Sequence, residues 1–163
     1  MNTTIDASRW LPAAAGGPLA YGMAMALALG TRPIQEIPLT LLASTLGVGL
    51  CMFPALYVGL SVIGADPKPG ELLRAVSRAS QGFGTALLGL TPLVLFLGST
   101  QPSRGTTLVL TVLGLGLASL VASRMVSLDA PRATSAPHRA LAATGGWALV
   151  TMVLSASFFI KIL

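Results

Sequence analysis

The residues of this chain that could do chemistry are few and lie far apart. One histidine, His138, and one cysteine, Cys51, stand among 163 residues that include five acidic and ten basic side chains. A nucleophile needs a base within hydrogen-bond reach, and His138 lies in the small-residue stretch ATSAPHRALAATGG, apart from any obvious nucleophile. A metal ion needs several converging ligands, and His138 has no companions nearby. A single cysteine makes neither an intramolecular disulfide nor a cysteine cluster. There is no HExxH segment and no Gly-rich loop followed by Lys-Ser or Lys-Thr. Gly114-Leu115-Gly116-Leu117 lacks the strand-then-helix setting of a dinucleotide loop. These residues point to a non-catalytic protein, with no cofactor and no metal ion expected. His138 reads as a solvated loop histidine, and Cys51, inside an apolar run, as a buried small hydrophobe.

The elements that carry these residues follow from composition. The chain is 53% hydrophobic and only 9% charged. A soluble domain carries about 25% charged residues, so there are too few here to cover a water-facing surface. Lipid or partner protein is expected around most of the perimeter. Crossing a bilayer takes about 20 apolar residues. Five stretches qualify: 11–30, 39–65, 82–99, 105–123 and 144–163. The reading is an all-α, polytopic membrane helix bundle of one domain with five spans, or four if residues 11–30 do not cross. A signal-peptide reading of 11–30 is disfavoured because the leader MNTTIDASRW holds Asp6 and only one positive charge. The ten Lys and Arg never form a run, so a nucleic-acid partner is not expected.

Charge orients the spans. With five, Arg9 shares a side with Lys68, Arg74, Arg78, Arg124, Arg132 and Arg139, which leaves Arg32, Arg104 and Lys161 opposite. With four, Arg9 changes sides and the bias weakens. Positive loops stay cytoplasmic, so five spans are expected, with the N-terminus cytoplasmic and the C-terminus across the membrane. The Ala, Gly and Leu bias and basic loops suggest a bacterial inner membrane.

Small residues and prolines suggest how the spans pack. Ala43, Gly47, Cys51, Ala55 and Gly59 recur every four residues, as do Gly114, Ala118 and Ala122. The first span has two such rows, Ala20, Ala24, Ala28 and Gly22, Ala26, Gly30. Without water to expel, helices in lipid associate by close van der Waals approach, which small residues permit. The second span is therefore expected at the centre of the bundle. Pro54 and Pro92 fall mid-span, where each removes a backbone donor and kinks the helix. Thr91 stands beside Pro92 and could re-satisfy the freed carbonyl.

Between the second and third spans, DPKPGELLRAVSRASQGFG holds five charges in its first thirteen residues. Proline and acid at its start mark a helix N-terminus. Leu72, Val76, Ala79 and Phe83 share one face, with Arg74 and Arg78 on another. This predicts a short amphipathic helix over residues 67–81 at the cytoplasmic surface, running into the third span. Arg74 and Arg78 are expected to meet lipid head groups or a partner. Trp10 is expected as an interface anchor.

The span with internal FPALYV, the PGELLRAVSRA helix and the following FGTALLGLTPLVLFL together resemble bacterial members of the Yip-domain family of five-span membrane proteins. The resemblance covers residues 50–98 and implies a non-catalytic role in membrane organisation or partner recruitment. The expected function is an accessory, scaffold or structural subunit of a larger membrane complex. Its partners would be the lipid bilayer and other membrane subunits or further copies of itself. The alternatives are an oligomeric channel or transporter component with Pro54 and Pro92 along its path, and an enzyme acting at the lipid interface. Residues 1–9, polar and short, are expected to pack against another polypeptide.

Overall fold

The computed structural model describes residues 7–30, 34–65, 68–100, 103–129 and 137–162. They form five helices: α1 (Ala7–Leu29), α2 (Glu36–Val62), α3 (Pro69–Thr100), α4 (Arg104–Asp129) and α5 (Pro137–Ile162). No strand occurs among the described residues. Three stretches among them are long and apolar enough to cross a membrane: α2, α3 and Val109–Asp129 of α4.

Local chemistry sets the helix ends. Pro69 and Pro137 open α3 and α5, where a missing N–H costs nothing. Ser103 caps α4, its Oγ accepting from the Thr106 N–H at 3.1 Å. At the end of α2, Gly64 adopts φ 71°. Its N–H donates to the Ser61 carbonyl and the Ala65 N–H to the Leu60 carbonyl, both at 3.0 Å. That is a Schellman closure, and it needs glycine at the left-handed position.

Several boundaries differ from expectation. α1 begins at Ala7, α4 runs on to Asp129 and α5 starts at Pro137, so Arg124 and His138 are helical rather than in a loop. The predicted surface helix at 67–81 is not separate. From Pro69 it is the first part of α3, a single helix of 32 residues; Asp66 and Pro67 lie outside the described residues. At 1.5 Å per residue α3 is about 48 Å long, well beyond a hydrocarbon core of about 30 Å. Its Leu72 and Ala79 are buried, Val76 and Phe83 half-buried, and Arg74 and Arg78 exposed, as the spacing predicted.

The centre of the bundle is α1 against α3, the most extensive helix contact. The two run parallel: Gly17 lies against Gly84, and Ala28 against Gly98. α4 runs antiparallel to both, with Gly82 against Met125 and Gly114 against the Tyr21 ring. The Tyr21 hydroxyl donates to the Leu110 carbonyl at 2.6 Å. A core of Tyr21, Met25, Leu41, Leu87 and Val94 fills this region. α2 packs on α1 through Gly22 and Pro38. A second cluster of Leu56, Leu60, Ala65 and Leu72 joins the end of α2 to the start of α3, with Ala143 and Trp147 of α5 against it. Successive helices therefore alternate in direction, and the starts of α3 and α5 lie at the same end as the finish of α2 and α4.

The second span is thus not the central helix. Ala43, Gly47, Cys51, Ala55 and Gly59 are all exposed, while α2 turns Leu41, Ser44, Leu56 and Leu60 inward. A row of small residues marks a surface that permits close approach, and it does not say which neighbour approaches.

Candidate functional site

Three features of the bundle could serve a function. The first is the outward face of α2. Cys51 is exposed on it, which corrects the expectation of a buried thiol. Pro54 and Pro92 are exposed too, and both α2 and α3 continue through them as helix. The Thr91 hydroxyl donates to the Leu87 carbonyl at 3.0 Å. This is the acceptor one turn back on its own helix, whereas Pro92 frees the carbonyl of Leu88, so Thr91 does not re-satisfy it.

The second feature is the charged end. Arg78 Nη1 lies 3.2 Å from Asp129 Oδ2, with the two side chains 64% and 19% exposed. The pair ties the start of α3 to the end of α4, so Arg78 has a partner within the chain as well as a face to solvent. Lys68 and Glu71 pair loosely at 3.9 Å along α3. Arg74 is exposed on the same helix. Trp10 falls in α1, but its side chain lies outside the described residues, as do residues 1–6. His138 is exposed in the first turn of α5. No group of three His, Cys, Asp or Glu among the described residues could hold a metal ion.

The third feature is a cavity of about 160 Å³ inside the bundle. All five helices reach it, with Ala14 from α1, Thr45 from α2, Phe83 from α3, Ser119 from α4, and Trp147 and Thr151 from α5. No ionisable side chain lines it among the described residues. Several wall hydroxyls bond back to their own helices. Thr45 donates to Leu41 at 2.7 Å, Ser80 to Val76 at 3.0 Å, Ser123 to Leu120 at 3.0 Å and Thr151 to Trp147 at 2.8 Å. The walls are therefore apolar surface studded with hydroxyls, four of which have their protons engaged by their own helices.

Of the predicted packing residues, Gly114 and Ala118 are buried against α1 and the core, and Ala122 is half-buried beside Ala79 and Val126. The rows of the first span also pack: Gly22, Ala24 and Ala26 are buried, and Ala28 meets Gly98. Other contacts as tight as that of Gly114 escaped sequence reasoning. Gly17, Gly82, Gly84 and Gly98 each leave no space for a Cβ. Their signal is a longer period. Gly17 and Ala28 are eleven residues apart and Gly84 and Gly98 fourteen, near whole numbers of helical turns, and of these four only Ala28 belongs to a row of four. The cavity could not be foreseen, because its lining is apolar residues of ordinary kinds.

No family model matches the chain, and no curated protein or solved structure matches it significantly.

Proposed function

We propose that this chain is a non-catalytic integral membrane subunit that assembles with other membrane proteins, or with further copies of itself, through the outward face of α2. The observation that carries the reading is the exposure of all five small residues of that row. They offer a helix a close approach that no helix among the described residues uses. The Yip-domain resemblance of residues 50–98 points to the same kind of role.

The orientation we infer has five spans, the N-terminus in the cytoplasm and the C-terminus across a bacterial inner membrane. The alternating helix directions support it, since they bring Arg9, Lys68, Arg78, Arg124 and Arg139 to one end. Arg74 also lies there, exposed on α3.

The channel or transporter reading is less well supported. Pro54 and Pro92 face outward, and neither lines the interior cavity. An enzyme at the interface would need an acid–base pair, and His138 and Asp129 stand on different helices with Asp129 engaged by Arg78.

The test is recovery from mild detergent with identification by mass spectrometry. Gly47→Leu and Ala55→Leu should abolish recovery of a stoichiometric partner or second copy, while Leu50→Ala retains it. Unchanged recovery in all three variants would remove the α2 face as the assembly surface.

A further inference from the structure

We propose that the interior cavity holds one acyl chain of a membrane lipid. The inference rests on the membrane reading and is independent of the assembly role.

Shape carries it first. On α4 the lining runs from Thr111 to Val126, about 22 Å of helix at 1.5 Å per residue. One leaflet of the hydrocarbon core is about 15 Å deep, half of about 30 Å. A volume of about 160 Å³ drawn out over that length is a narrow slot, suited to a methylene chain rather than to a compact ligand. Chemistry agrees. The lining has no charge to neutralise a polar ligand, and Thr45, Ser80, Ser123 and Thr151 spend their protons on their own backbones. A water held there would need two to four polar partners, whereas an acyl chain needs none and gains apolar contact along its length.

Access completes the argument. Among the contacts that close the ring of helices, α4 against α5 is slighter than α1 against α2 or α2 against α5. A lipid tail enters laterally through that seam. The outward surfaces of α4 and α5 are apolar, with Leu120 63% and Leu149 64% exposed, as are Leu50 at 78% and Val62 at 80% on α2.

The experiment uses the full chain in vesicles of phosphatidylethanolamine and phosphatidylglycerol. These are doped with a phosphatidylcholine that carries a diazirine midway along one acyl chain. After photolysis, adducts are mapped by peptide mass spectrometry. Labelling at Ser80 and Ser119 should saturate as the probe fraction rises, while labelling at Leu50 and Val62 rises in proportion to it. Ser119→Phe should cut the Ser80 adduct about tenfold, the effect of one buried aromatic side chain taking the chain's place, and leave Leu50 and Val62 unchanged. Should that variant fail to fold, the wild-type saturation curve decides alone. Interior residues that stay unlabelled while Leu50 and Val62 react would overturn the proposal, as would interior labelling strictly proportional to probe. Absence of label at both sets would remove the membrane reading and this inference with it.

Discussion

At the scale of single residues, stability rests on a few positions with no spare volume. A Cβ on Gly84 would overlap the backbone of Ala13 and press on Ala14, and backbone cannot step aside as a flexible side chain can. Gly84→Val is therefore expected to lower the thermal midpoint in detergent by more than the equivalent of about 1–3 kcal/mol usual for overpacking. Gly47→Leu should leave the isolated chain's midpoint unchanged, since nothing lies within 4 Å of its Cβ position. Leu60 gives a second contrast. It sits fully buried beside Leu56, Ala65 and Leu72, so Leu60→Ala should cost about 2–5 kcal/mol. Leu50→Ala removes only outward surface and should be close to neutral. Equal midpoints for these two leucine variants would contradict the packing of α2. The Arg78–Asp129 pair belongs to a different class, because Arg78 is largely exposed. Breaking it with Asp129→Asn should shift stability by no more than about 1 kcal/mol, and less at high salt.

At the scale of elements, α2 carries an internal gauge of depth. Cys51 is fifteen residues beyond Glu36, about 22 Å along the helix, and it faces outward. In intact vesicles a charged, membrane-impermeant maleimide should leave it unmodified, because a charged reagent does not enter the hydrocarbon core. Detergent solubilisation should then expose it to the same reagent. Rapid modification before solubilisation would place this helix outside the bilayer. Sequence reading did well with such elements and poorly with their neighbours. Apolar runs of spanning length located all five helices of the described residues, since apolar length is a property of one segment alone. The face carrying Leu72, Val76, Ala79 and Phe83 was legible for the same reason. Partner choice was not, because it depends on two helices at once. The row on α2 meets no helix among the described residues, while Gly17 and Gly84 meet across an interval of 67 residues that no local period can reveal. Leu60, which its sequence setting allows to face lipid, is buried by the Schellman closure at Gly64 that folds Ala65 back beneath it.

At the scale of the whole molecule, alternation of direction and the distribution of arginines make one statement about topology. Reporter fusions should place the end of α5 on the side opposite the start of α1. A fusion after Leu163 reporting from the same side as one before α1 would eliminate the five-span arrangement. Reversing Arg74 and Arg78 to Glu lowers the basic majority on the side we propose to be cytoplasmic from seven residues to five. The double variant should yield a mixture of orientations in the same assay. A single orientation, unchanged from wild type, would mean that the remaining basic residues suffice.

The parallel pairing of α1 with α3 also sets a schedule for biogenesis. Leu29 ends α1, but its principal partner is not complete until Thr100. Those 71 residues take about 4–14 s to synthesise at 5–20 residues per second. Throughout that interval Gly17 and Tyr21 have no α3 or α4 to meet, and only α2 can shield part of the first helix. A nascent chain stalled after residue 65 should therefore be an early target for membrane proteases. One stalled after residue 129, with α1, α3 and α4 all present, should survive far longer in a pulse-chase. The order in which the helices are born thus leaves the bundle's innermost surface waiting longest for its cover.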